Sequence, residues 1–108
     1  MNGCVFCASV HARFAAHYSK RADLVDQLLD EGISADLGER WNAIVAASAA
    51  LTATPLAFDE AHVGRLRDAG LDDLEISDVI HGAAFFNWAN RLMLSIGRPI
   101  APAEEAAA

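Results

Sequence analysis

The chain has 108 residues, which is enough for one domain with a modest core. A formal net charge of −7 argues against nucleic acid or an anionic membrane as the main partner. Hydrophobic residues make up 54% of the chain, much of that alanine, and no apolar run is long enough to span a membrane.

The pattern is helical throughout, with no alternating strand signal, so an all-α fold of about five helices is expected. A first helix is expected from Cys4 to Tyr18. It opens on Cys4-Val5-Phe6-Cys7-Ala8-Ser9-Val10-His11, a C-x-x-C-x-x-x-H motif that holds both cysteines of the chain. On a helix, Cys4, Cys7 and His11 lie within roughly 60° of one another on one face. A helix N-terminus and a nearby imidazole both favour thiolate, the reactive form of cysteine. The spacing supplies a nucleophilic sulfur, a second sulfur that can close a disulfide, and a proton carrier.

Ser19 reads as the cap of a second helix with Leu24, Val25, Leu28 and Leu29 as its apolar face and Gly32 after its end. Asp23, Asp26, Asp30 and Glu31 read as its solvated face. Asp36 with Glu39 fits a capping box opening a third helix, with Trp41, Ile44, Val45, Ser48 and Leu51 facing inward and Thr54-Pro55 as the stop. Asp59 caps a short fourth helix carrying Val63 and Leu66, ended at Gly70. Asp72 with Glu75 repeats the capping box and starts a last helix running to about Ile96, with Gly97 and Pro99 beyond. Ile76, Val79, Ile80 and Ala83 form one stripe of it, and Phe85, Trp88, Leu92 and Ile96 another. A helix with two apolar faces is usually buried on both, by its own domain and often by a partner chain. Residues 98–108, rich in Ala, Pro and Glu, are expected to be a disordered tail after a domain over residues 1–97.

The first residues lack a basic n-region, and His11 and Arg13 interrupt the apolar run, so no signal peptide is expected and the location is read as cytoplasmic. In a reducing compartment a C-x-x-C is redox-active or metal-binding rather than a structural disulfide. Three readings of the cysteines stand side by side: a redox dithiol, two small buried apolar residues, and a zinc site formed by Cys4, Cys7, His11 and His17. The zinc reading crowds all ligands onto one helix, whereas structural sites gather them from separated elements. His17 and His62 are expected to be solvated. Trp41, Phe85, Phe86 and Trp88 are expected in core and interface.

The segment Asn2 to His11 resembles the active-site segment of the AhpD-like alkylhydroperoxidases of the carboxymuconolactone decarboxylase superfamily. Asp59 to Ile80 resembles an element of that superfamily's peroxidase-related branch. Phe85-Phe86-Asn87-Trp88-Ala89-Asn90-Arg91-Leu92 resembles the branch's Phe-Asn-x-x-Asn-Arg signature. The resemblance covers roughly Asn2 to Gly97. It implies an AhpD-like all-α fold that assembles as a homo-oligomer, a trimer or hexamer. It implies a thiol-dependent peroxidase or disulfide reductase acting on small organic hydroperoxides and recharged by a thiol or dithiol, with no cofactor and no metal. Carried over by position, Cys7 is the peroxidatic thiol, Cys4 its disulfide partner and His11 a member of the proton relay. His81, Asn87, Asn90 and Arg91 are candidate site-lining residues; the alternative for the last three is a helix-to-helix hydrogen-bond and salt-bridge set. The family's relay also uses a glutamate upstream of the first cysteine. Here the chain starts at Met1, so a longer protein, a fragment or a drifted function is expected, and Glu39, Glu60, Asp78 and His81 are candidates to orient His11. The competing function is a non-catalytic helical oligomerisation module.

Overall fold

Aspartates at positions 59 and 72 each sit in extended backbone and turn their carboxylates onto the free N–H groups of the turn that follows. Asp72 accepts from the Glu75 N–H at 2.8 Å, and Glu75 returns the bond to the Asp72 N–H at 3.0 Å. This reciprocal box starts the last helix where the sequence places it. Asp59 accepts from the N–H groups of Ala61 and His62, and His62 takes the place of the usual glutamate. His62 is therefore a capping side chain stacked on Phe58, with 16% of its side chain exposed, and not the solvated histidine expected.

The computed structural model describes residues 1–97, and the expected disordered tail falls outside the described residues. Five α-helices follow one another: α1 (Val5–Ser19), α2 (Ala22–Glu31), α3 (Glu39–Thr52), α4 (Glu60–Asp68) and α5 (Asp73–Ile96), with a 3₁₀ turn at Gly32–Ser34. No strand occurs among the described residues, so the all-α expectation holds. No helix among them is long and apolar enough to cross a membrane.

Two helix starts differ from expectation. Ser19 ends α1 instead of capping α2. Its hydroxyl donates to the Ala15 carbonyl at 2.6 Å and accepts from the Arg21 N–H, while Lys20 turns the chain in the left-handed region. Asp36 does not cap α3, which begins after Gly38 at φ +88. The Asp36 carboxylate instead accepts from Asn42 Nδ2 at 2.9 Å and from the Gly38 N–H, and Asn42 Oδ1 accepts the Leu37 N–H at 2.8 Å. Those donors, Asn42 first, hold the Asp36 carboxyl below the ordinary carboxylate range.

The core lies between α3, α4 and α5. Ala47, Leu66, Leu71 and Ile76 are buried in it, with Ile44, Phe58, Val63, Val79 and Ile80 packed around them. Leu66 is 0% exposed, and sealing a leucine this way contributes about 2 kcal/mol. The turn after α4 needs Gly70 at φ +87, where its N–H bonds Arg67 and the next N–H reaches back to Leu66. Arg40 ties α3 to this corner, donating to the Gly70 carbonyl and pairing with Glu75 at 2.7 Å.

The inward face of α3 is made of alanines. Ala47 and Ala50 are buried, Ile44, Val45, Ser48 and Leu51 are half-buried, and Trp41, expected inside, is largely exposed. Small side chains let α3 run close to α4 and α5, its main packing partners. The hairpin of α1 and α2 packs chiefly on itself. Its inner surface opens as an apolar groove of about 620 Å³ lined by residues such as Ala12, Leu24, Val25, Leu28 and Leu37. On α5 the expected first stripe is inside, but the second is not: Phe85, Trp88, Leu92 and Ile96 stand exposed, Trp88 at 60%.

Candidate functional site

The dithiol sits where α1 begins. Gly3, at φ +74, turns the chain so that Cys4 becomes the N-cap of α1 and Cys7 falls in its first turn. The Cys7 N–H donates to Cys4 Sγ at 3.4 Å, so a sulfur fills the role an oxygen usually has at a helix start. The two cysteines are joined in a disulfide with Cα atoms 5.3 Å apart. Both are buried, Cys4 to 8% and Cys7 to 7% exposure. They are the buried residues at the α1 end of a hairpin that otherwise buries little.

Three contacts from α5 cover this corner. Met93 Sδ lies 3.6 Å from Cys7 Sγ. Phe86 meets the His11 ring edge-on, with centroids 4.6 Å apart. Asn87 accepts from Asn2 Nδ2 at 3.0 Å and donates to Thr52 Oγ1 and to the Ala83 carbonyl. Phe86, Asn90 and Met93 are spaced to fall on one side of α5, facing the start of α1. Asn87, one position on from Phe86, reaches both Asn2 before α1 and Thr52 of α3, and the bond to Thr52 is of the helix-to-helix kind that was the alternative reading for it.

Beside the disulfide an open pocket of about 360 Å³ is lined by Asn2, Cys4, Cys7, His11, Phe86 and Asn90 among others. Cys4, Cys7 and His11 thus border one space. His11 is oriented by aromatic packing on Phe86 and Phe14, and no hydrogen bond to its ring occurs among the described residues. None of the four candidates for orienting it bonds to it there. His81 is exposed and donates through Nδ1 to the Ser77 carbonyl at 2.8 Å. It does not border this pocket, nor does Arg91. Asp78 borders a neighbouring cleft between α3 and α5, and Glu39 and Glu60 occupy the exposed first turns of α3 and α4.

His17, the fourth ligand of the zinc reading, is exposed near the far end of α1 and packs edge-on against Tyr18. Among the described residues no three His, Cys, Asp or Glu side chains gather as metal ligands would. The sulfurs, paired with each other, offer no thiolate in this state.

Three contributors were not singled out from the sequence as part of the site: Met93, Phe86 and Asn2. The spacing Phe86, Asn90, Met93 carried a signal for the first two, but it lies between two stronger apolar stripes on the same helix. Asn2 gave no signal, because its partner is 85 positions away. Comparison with protein-family models, curated proteins and solved structures found no match to this chain.

Proposed function

We propose that the protein is a thiol-dependent peroxidase or disulfide reductase of the AhpD-like kind, acting on small organic hydroperoxides in a reducing compartment such as the cytoplasm. The observation that carries this reading is a closed Cys4–Cys7 disulfide at a helix start, bordering the same pocket as His11. In the reduced protein the Cys7 thiolate attacks the terminal oxygen of the hydroperoxide. An S–O bond forms, the O–O bond breaks, and the leaving alkoxide takes a proton that His11 received from the Cys7 thiol. The Cys4 sulfur then displaces hydroxide from the Cys7 sulfenic acid, which leaves as water and closes the disulfide. A thiol or dithiol donor returns two electrons by exchange. No cofactor enters the cycle. The helix N-terminus favours thiolate at both positions.

The test is loss of thiols when cumene hydroperoxide is added to fully reduced protein, wild type beside Cys7→Ser. Rapid loss of both thiols in the wild type alone supports the reading. In Cys4→Ser, Cys7 should stop at a sulfenic acid that a nucleophilic carbon reagent traps. Wild-type loss no faster than that of a free small thiol removes the catalytic assignment.

A second reading is favoured by a specific feature, the exposed row Phe85, Trp88, Leu92 and Ile96 on α5. An apolar row of this length suits a helical oligomerisation module, catalytic or not. The trimer or hexamer implied by the family resemblance belongs to this proposal, and sedimentation of the reduced and oxidised chain tests it.

A further inference from the structure

We infer that Met93 is an oxygen-accepting site beside the closed disulfide and that the reduced Cys4–Cys7 pair restores it, so that the chain repairs its own methionine sulfoxide. The inference goes beyond the peroxidase reading, because here the oxygen enters at a thioether and not at a thiol.

Three sulfurs meet at the start of α1. Met93 Sδ lies 3.6 Å from Cys7 Sγ, and Cys7 is joined to Cys4. That separation is close to the roughly 3–3.5 Å of a near-attack arrangement. Packing alone creates it, because the two residues are 86 positions apart.

The three sulfurs differ in access. Cys4 and Cys7 are 8% and 7% exposed, whereas Met93 is 40% exposed. Met93 does not border the open pocket shared by Cys4, Cys7 and His11, so it meets Cys7 outside that pocket. An oxidant that arrives while the disulfide is closed finds no thiolate. The reachable sulfur at the site is then the thioether of Met93. Its oxidation sets a polar, chiral sulfoxide against Cys7, at the contact that seats α1 on α5. Thiols reduce a freely exposed sulfoxide slowly because the two must first meet in the right geometry, and here the fold supplies that meeting.

Both steps balance. A lone pair of Met93 Sδ attacks an oxygen of hydrogen peroxide, an S–O bond forms, the O–O bond breaks, and water leaves. Met93 is oxidised by two electrons. A dithiol such as dithiothreitol then opens the disulfide by exchange. The Cys7 thiolate attacks the Met93 sulfur while the sulfoxide oxygen takes the protons of the two thiols. An S–S bond forms, the S–O bond breaks, and water departs. The Cys4 thiolate next attacks Cys7 Sγ, the thioether leaves with the bonding pair, and the disulfide closes again. Met93 has been reduced by two electrons and the cysteine pair oxidised by two, and a second dithiothreitol reopens it.

The experiment uses the full chain in its disulfide form. Excess hydrogen peroxide is applied until peptide mapping by mass spectrometry shows one added oxygen on each of the two methionines, Met1 and Met93. The peroxide is removed and dithiothreitol added. Met1, 76% exposed and on a different tryptic peptide, is the internal reference. The Met93 sulfoxide should be lost about tenfold faster than that of Met1, or faster still. Loss confined to one sulfoxide epimer also sustains the inference, since the sulfoxide sulfur is chiral. In Cys7→Ser the Met93 sulfoxide should last as long as the Met1 sulfoxide. Wild type unfolded in guanidinium chloride should likewise lose the preference, and this arm needs no variant to fold. Equal rates at Met1 and Met93 in the folded wild type overturn the inference. So does a preference that survives in guanidinium chloride or in Cys7→Ser, or a Met93 that peroxide leaves unoxidised. No hydroperoxide is present during the repair phase. Repair of Met93 therefore stands even where the thiol-loss test fails, and its failure leaves the peroxidase reading untouched.

Discussion

Leu66 in α4 and Leu28 in α2 are both helical leucines with apolar neighbours one turn away. Leu66 is sealed from solvent, whereas Leu28 borders the open groove behind α1 and the cleft beside α5. The contrast extends to their surroundings. Helices α3, α4 and α5 close around Ala47, Leu66, Leu71 and Ile76. In the α1–α2 hairpin, α2 has no fully buried residue and α1 has only Cys7. At the start of α1 the hairpin meets α5 through the candidate site, with Cys7 against Met93, His11 against Phe86 and Asn2 bonded to Asn87, and after α2 it meets α3 through the 3₁₀ turn. The candidate site and the docking of the hairpin therefore share side chains.

The largest expected effect that sharpens this contrast is in the core. Leu66→Ala should cost about 2–5 kcal/mol in chemical unfolding, because it opens a void that α3 and α5 cannot collapse into. The matching change in the hairpin, Leu28→Ala, should cost less than about 1 kcal/mol. Equal losses would show that the hairpin is packed as tightly as the core and would break the comparison. Next in size is reduction of the disulfide. Amide hydrogen exchange in the first turns of α1 should quicken by about tenfold while α4 and the first half of α5 stay protected. A rise spread evenly over all five helices would mean that the two regions open as one. Third, Asp72→Ala should lower stability by about 1 kcal/mol through loss of the box that starts α5, with Asp72→Asn restoring most of it. The smallest effect is one of pH. His62, and then the first N–H groups of α4, hold the Asp59 carboxyl below its ordinary value. A lowered folded-state pKa gives stability that is present above the ordinary carboxylate range and lost as pH falls through the lowered value. Asp59→Asn should therefore lower stability slightly near neutrality, where the ionised carboxylate contributes, and flatten the acid side of the stability profile.

The sequence disclosed the helical class and the starts of α4 and α5, because an aspartate in extended backbone before a helix has a single local job. It misplaced the starts of α2 and α3 for a related reason. Ser19 and Asp36 do make capping-like bonds, but to N–H groups of the turns beside them, and the chain advances two residues before each helix begins. The rotation of α3 was legible only in part. Alanine is weakly apolar on every face, so the buried Ala47 and Ala50 leave no stripe to read, and Trp41 drew the eye to the wrong side. For the site, the cysteine spacing announced the dithiol, whereas the covering residues on α5 depend on contacts made 85 and 86 positions apart.

Under the proposed peroxidase reading, the burial of the two sulfurs bears on how fast the disulfide can be reduced. The open pocket beside the sulfurs lets a small thiol in, whereas a folded electron donor has to bring its own thiol onto sulfurs that are 7–8% exposed. Recharging by a small thiol should thus accelerate in proportion to its concentration. With a macromolecular donor the rate should climb and then level off at the frequency with which α1 swings away from Met93 and Phe86. The ceiling on turnover would then be written into helix packing, and loosening that packing would raise it at the cost of a shorter-lived native state.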